Sequence, residues 1–131
     1  MENRFRQSRR VAFVETDASG RVHFSNVLRY VEEAEHALLS QLGVAVWDGQ
    51  GGWPRAQVRC DYLRPLAFNE VLAIELWPET LGRTAINWSF RVMQGEAVAA
   101  EGGMVTVHVS LGGKPIELPA GLRAQLEALR G

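Results

Sequence analysis

Ser25-Asn26-Val27-Leu28-Arg29-Tyr30-Val31-Glu32-Glu33-Ala34-Glu35-His36-Ala37-Leu38-Leu39-Ser40-Gln41-Leu42-Gly43 is the stretch from which the rest of the chain can be placed. Val27, Val31, Ala34, Leu38 and Leu42 recur at spacings of three and four, and Leu28 and Leu39 widen the stripe. That is the apolar face of an amphipathic helix. Glu32, Glu33 and His36 fall towards the other face, and the run of glutamates predicts a solvated or interface-facing surface. Ser25 or Asn26 can cap the start, and Gly43 stands where a helix is often closed. The spacing predicts one long helix of ~25 Å at ~1.5 Å per residue.

Outward from this helix, the chain changes period. Upstream, Arg10 to Val14 predicts a first strand, ended by the turn cluster Thr16-Asp17-Ala18-Ser19-Gly20. Downstream, Gly49-Gln50-Gly51-Gly52 predicts a mobile loop. Four runs of alternating residues then follow. Ala56, Val58, Cys60 and Tyr62 form the first, and Leu72, Ile74 and Leu76, ended by Pro78, the second. Ile86, Trp88, Phe90 and Val92 form the third, and Val105, Val107 and Val109 the fourth. Period two means one apolar face and one more polar face, which suits antiparallel strands. The separators Pro65 with Asn69, Leu81-Gly82 and Gly102-Gly103 are too short for crossover helices. Pro119 to Leu129 predicts a short terminal helix with Leu122, Leu126 and Leu129 on one side. A sheet with one apolar face must bury it, and the long helix is the available cover. The expectation is a two-layer α+β fold of about five strands, one domain over residues 1–131.

Composition narrows the function classes. The chain has 131 residues, 47% hydrophobic and 22% charged, as an ordinary globular domain does. A formal net charge of −1 argues against nucleic-acid wrapping by bulk electrostatics. A single cysteine, Cys60, leaves neither an internal disulfide nor a multi-cysteine metal cage. On its alternating strand it reads as a packing thiol. There is no metal-ligand spacing, no G-x-S-x-G elbow and no Walker sequence, so no metal and no cofactor are expected. No run approaches the ~18 apolar residues of a membrane span. Met1 to Arg10 lacks the apolar core of a secretory signal, so a cytoplasmic location is expected.

Chemistry concentrates just before the long helix. Asp17 lies within a short loop of the helix N-terminus, whose first N–H groups have no internal partner and carry the positive end of the dipole. A carboxylate near free amide donors is what acyl transfer to water requires. Asp followed by Gly three residues later is also an ordinary type I turn, and spacing alone leaves both readings standing.

Thr16-Asp17-Ala18-Ser19-Gly20-Arg21-Val22-His23-Phe24-Ser25-Asn26-Val27-Leu28-Arg29-Tyr30 resembles the signature of the 4-hydroxybenzoyl-CoA thioesterase family of hotdog-fold proteins, and Asp61-Tyr62-Leu63-Arg64-Pro65-Leu66 resembles its second-strand segment. The resemblance implies a hotdog fold, a long central helix wrapped by a curved antiparallel sheet. It implies hydrolysis of an acyl-CoA thioester, with an acyl carrier protein thioester as the other carrier. Asp17 matches the family's catalytic carboxylate, as nucleophile or general base. Phe24 matches the position whose backbone N–H polarises the thioester carbonyl. Asn26 matches the asparagine near the helix start, in a structural or orienting role, and His23, whose imidazole can orient substrate or shuttle a proton, and Gly20 are further candidates at the substrate. Phe13 and Val27 depart from the family pattern, standing where many members carry Tyr, and His23-Phe24 stands where an aromatic followed by His or Tyr is common. The resemblance also implies a homodimer or a dimer of dimers, with sites built between subunits.

Other candidates carry less. His36 and His108 read as bystanders on polar faces. Arg55, Arg59, Arg64, Arg83 and Arg91 lie in or beside the sheet and offer planar donors for the phosphates of CoA. Two rival functions remain at this stage, a non-catalytic acyl-CoA-binding protein and a hotdog hydratase or dehydratase. The latter branches use motifs such as H-F-P-G, whereas here His23-Phe24 runs into Ser25-Asn26.

Overall fold

A computed structural model describes residues 4–129 of the chain, so residues 1–3 of the polar N-terminal stretch lie outside it. Helix α1 spans Phe24–Gln41 and buries Val27, Val31, Ala34, Leu38 and Leu39, the stripe read from the sequence, together with Tyr30 and Glu35. Its N-cap is His23, whose Nδ1 accepts the Ser25 N–H at 3.3 Å; the cap thus lies two or three residues before Ser25 and Asn26. Gly43, at φ +83°, follows the C-cap Leu42, in the left-handed region where glycine carries no Cβ penalty.

The strands are β1 (Phe5–Arg10), β2 (Gly51–Gly52), β3 (Arg55–Tyr62), β4 (Val71–Leu81), β5 (Ala85–Gln94), β6 (Ala97–Val107) and β7 (Val109–Ser110), and α2 (Leu122–Glu127) follows. Five of them form one antiparallel sheet in the order β1-β4-β5-β6-β3, and β2 with β7 forms a separate ribbon. Leu72, Ile74 and Leu76 of β4 and Ile86, Trp88, Phe90 and Val92 of β5 meet the buried stripe of α1 in one core. Leu122 and Leu126 of α2 close it. The Trp88 indole N–H donates to Thr106 Oγ1 at 3.1 Å, so these two buried polar groups satisfy each other.

Four expectations are corrected. The first strand is Phe5–Arg10 rather than Arg10–Val14, and Phe13–Glu15 is a 3-10 turn. Phe5-Arg6-Gln7-Ser8-Arg9-Arg10 shows no apolar alternation, because its inward side includes Gln7 and Arg9, the latter neutralised by carboxylates. Pro78 does not end the second run, for β4 continues to Leu81 through a bulge between Pro78 and Thr80. Among the described residues the last β1–β4 pair is Phe5 with Leu76, two residues before Pro78.

Gly102-Gly103 is not a separator but the middle of β6; the turn is at Gly95, φ +63°. A Cβ on Gly102 would lie 1.9 Å from the Arg59 carbonyl oxygen, so glycine is what lets β3 approach β6. Gly51-Gly52, read as loop, pairs with Val109 and Ser110 for a similar reason: a Cβ on Gly51 would lie 2.0 Å from the Val109 oxygen.

The apolar side of β3 has the predicted phase but little cover. Val58 and Tyr62 stay 43% and 47% exposed, since α1 packs chiefly over β1, β4 and β5 and meets β3 at Arg55 and Tyr62.

Candidate active site

The loop between the 3-10 turn and α1 is a small hairpin. Thr16 bridges Val22, the Asp17 N–H donates to the Arg21 oxygen at 2.8 Å, and the Gly20 N–H returns to the Asp17 oxygen at 2.9 Å. Gly20 stands at φ +81°, which a residue with a side chain adopts at a cost. The hairpin is tied to the sheet's connecting loop through Val22 N–H to Leu66 O at 2.8 Å.

Asp17 sits exposed at the tip of this hairpin. Its Oδ1 accepts the Ser19 hydroxyl at 2.5 Å and the Ser19 N–H at 2.8 Å. These two donors, the hydroxyl first, hold the carboxyl below the ordinary aspartate range. Both of these bonds fall on Oδ1, and with the Arg21 N–H they favour the ionised carboxylate.

The start of α1 supplies the complementary group. Among its first N–H groups, that of Ser25 goes to His23 Nδ1 and that of Asn26 to the His23 oxygen at 2.9 Å. The Phe24 N–H has no acceptor among the described residues, at the end of the helix where the dipole is positive. Asp17 and Phe24 line the same cavity, of about 370 Å³, with Ser19, Arg21, Val22 and Val27. The sheet side contributes Tyr62, Leu63, Arg64, Pro65, Leu66, Ala99 and Ala100. Tyr62 donates its hydroxyl to the Phe24 oxygen at 3.0 Å and meets the Phe24 ring edge-on at 6.3 Å. Burial raises the Tyr62 phenol to about 12, so it remains a donor at neutral pH.

A half-apolar cavity with an ionised carboxylate and an unpaired helix-terminal N–H can polarise a carbonyl with one group and attack it, or activate water, with the other. The family model of the Thioesterase superfamily matches residues 19–101, well over half the chain. The chain belongs to this superfamily.

Relatives of this thioesterase include a 1,4-dihydroxy-2-naphthoyl-CoA hydrolase of Nostoc punctiforme, 31% identical over 82% of this chain and 74% of its own length. A solved structure from Aquifex aeolicus is 32% identical and superposes with a TM-score of 0.84, covering 96% of this chain and 99% of its own. A 1,4-dihydroxy-2-naphthoyl-CoA thioesterase from Synechocystis, at 21% identity, shares the fold at a TM-score of 0.86 over 94% of this chain and 95% of its own. The sheet and long helix of the thioesterase are thus those of the hotdog fold, as expected from the resemblance.

Of the residues singled out in the sequence, Asp17 and Phe24 meet at the cavity of this thioesterase, whereas Gly20, His23 and Asn26 build its frame. Gly20 turns the hairpin, and His23 caps α1 with its ring 4.6 Å from that of Phe24. Asn26 donates from Nδ2 to the Glu15 oxygen at 2.9 Å. Arg64 alone of the five sheet arginines lines the cavity, joined by Arg21, which the sequence did not single out. Arg55 instead pairs with Glu35, Arg59 with Asp61 at 3.8 Å and Arg83 with Glu117 at 3.5 Å, while Arg91 lies 6.0 Å from the Trp77 ring centre.

The glutamates of α1 are not uniformly solvated. Glu35 is 0% exposed and burial pushes its carboxyl up, with Arg55 opposing. His36 lies 3.9 Å from it, and His108 stacks on Trp53 at 4.5 Å while its Nδ1 lies 2.7 Å from the Glu117 oxygen. Cys60 is half-buried and its thiol is pushed up by burial, the state of an unreactive packing thiol. Among the described residues no group of three His, Cys, Asp or Glu could hold a metal, and no helix is long and apolar enough to cross a membrane.

Proposed function

We propose that the thioesterase hydrolyses an acyl-CoA, with Asp17 as the attacking or water-activating carboxylate and the Phe24 N–H as the donor to the thioester oxygen. One observation carries this reading: an ionised carboxylate and a helix-terminal N–H without an acceptor line one cavity. The thioester carbonyl places its oxygen at the Phe24 N–H, where developing negative charge is matched by the positive end of α1. Asp17 either adds to the carbonyl carbon and expels the CoA thiolate, leaving a mixed anhydride for water to open, or takes a proton from the water that adds. Both routes end in the free acid and CoA.

The acyl group we infer is aromatic. Supporting it are the flat rings of Phe24 and Tyr62, the small walls made by Ala99, Ala100, Val22 and Val27, and the naphthoyl substrate named for the Nostoc relative. Arg21 and Arg64 at the cavity supply guanidinium donors for the phosphates of CoA. The exposed edge and bare apolar side of β3, which contributes Tyr62 to the cavity, support assembly of two copies through that strand.

Asp17→Asn is the test, read as free-thiol release from a panel of aryl- and alkyl-CoAs. Asparagine still accepts the Ser19 N–H and keeps the turn, so the melting temperature should change little. Loss of the charge and basicity should lower kcat by at least ~10²-fold. If turnover stays near that of the parent, Asp17 is a turn residue and the catalytic carboxylate lies elsewhere, with Glu33 the first to test.

A further inference from the structure

The two reactive groups lie on different pieces of chain, Asp17 on a hairpin and the Phe24 N–H on α1, so their separation must be fixed by something else. Glu15 adjoins both, two residues before Asp17 and hydrogen-bonded to the start of α1. The residue is 7% exposed, and Oε1 accepts the Ala12 N–H at 2.8 Å, the Tyr30 hydroxyl at 2.7 Å and Arg9 Nη1 at 3.2 Å. Oε2 pairs with Arg9 Nη2. Arg9 belongs to β1, also holds Glu33 Oε1 at 2.8 Å, and lies over the Tyr30 ring at 4.7 Å. The main chain of Glu15 is used as fully. Its carbonyl oxygen accepts the His23 N–H at 3.0 Å and Asn26 Nδ2 at 2.9 Å, which are the cap and the third residue of α1.

One residue therefore ties β1, the 3-10 turn, the cap of α1 and the second turn of α1, two positions ahead of Asp17. We propose that Glu15 is the positioning residue of the active site: its carboxylate, clamped by Arg9 and Tyr30, sets the Asp17 hairpin against the Phe24 N–H. The inference rests on the reading of Asp17 and Phe24 given above. Glu15 is not among the residues that line the cavity; it acts through geometry. Burial alone would push its carboxyl up, yet the Ala12 N–H, the Tyr30 hydroxyl and Arg9 outweigh that and keep it ionised. The clamp is thus ionic on one side, and Tyr30 in turn is held as the neutral phenol by burial and by Glu15.

Glu15→Gln keeps the shape and one acceptor oxygen but sets an amide N–H₂ against the Arg9 guanidinium, donor against donor. The turn then moves away from β1 and takes the hairpin with it. A shift of ~1 Å in a reacting group can cost ~10²-fold in rate, while the cavity walls on the sheet side, at Leu63, Ala99 and Ala100, stay as they are. The expected result is a fall in kcat of ~10–100-fold, with KM for a good aryl-CoA changed by less than about threefold. The deciding measurement repeats the substitution in the Asp17→Asn background. If Glu15 acts through Asp17, Glu15→Gln there should cost less than about threefold, because nothing is left to misplace.

Tyr30→Phe, which removes one donor and no charge, is run through the same cycle and carries the test should Glu15→Gln fail to fold. It should show a smaller fall in kcat, again at constant KM and again lost beside Asp17→Asn. Equal losses in both backgrounds, or a rise in KM matching the fall in kcat, would make Glu15 an ordinary structural residue and overturn the proposal. Full turnover in Asp17→Asn alone would take down the underlying reading first, and that outcome is visible without any Glu15 variant.

Discussion

Ser19 decides how acidic a solution Asp17 can work in. Its hydroxyl and its N–H both donate to Asp17 Oδ1 and hold the carboxyl below its ordinary value. An acid with a lowered value remains ionised as the pH falls through the ordinary aspartate range of about 3.9, and the rate should hold with it. Ser19→Ala removes the larger of the two donors, so the acid limb of kcat/KM should move to higher pH, with the neutral-pH rate nearly unchanged. A limb that stays in place would mean that another group titrates there. At this scale the sequence was legible where a motif brought residues to one place, as Asp17 and Phe24 to one cavity, their roles there being what is proposed. It was not where a side chain owes its role to a partner distant in the chain. Glu15 and Glu35 look like any surface glutamate until Tyr30, Arg9 and Arg55 are placed beside them. Arg21 and Tyr62 likewise gave no sign, since a cavity wall is assembled from segments about forty residues apart, as the Tyr62 bond to Phe24 shows at a separation of 38.

Among the elements, the glycine at the centre of β6 sets the distance between two strands. A Cβ at Gly102 would sit 1.9 Å from the Arg59 oxygen, which is backbone and cannot swing aside. Gly102→Ala must therefore push β3 off β6, at about 1–3 kcal/mol for an overpacked site, read as a lower midpoint in urea. Gly52→Ala, with nothing within 4 Å of its new Cβ, should stay within about ±0.5 kcal/mol. Equal midpoints for the two variants would show that the sheet relaxes around the methyl group. The same glycine explains why this strand was misread. A Gly-Gly pair is the code for a turn and also for close approach, and only the neighbouring strand tells which. Periodicity was a sound guide where one face meets the core, as along α1 and β5. It failed for β1, whose inward side chains include Gln7 and Arg9 rather than apolar residues.

The molecule as a whole ends, on one side, in an unfinished sheet. β3 is an edge strand, and its inward residues Val58 and Tyr62 keep nearly half their surface in water because α1 packs chiefly over β1, β4 and β5. Pairing of two copies along β3 would remove both edges and bury both apolar sides, so light scattering should give twice the chain mass at micromolar concentration. Val58→Asp places a charge on that surface and should give the single-chain mass. Its core would be intact, because Val58 is not among the buried residues. A wild-type chain that scatters as one copy would remove β3 as the joint. Tyr62 belongs to this strand and also to the cavity, where it holds the start of α1 through the Phe24 oxygen. On the proposed pairing, the joint and the catalyst share a wall, and activity becomes a matter of mass action. Diluted below the dissociation constant of the pair, the chain would lose turnover per molecule, and the initial rate would climb with the square of chain concentration rather than in proportion to it. A progress curve begun by dilution would then slow with time before any substrate is exhausted, a signature of dissociation that needs no structural probe to see.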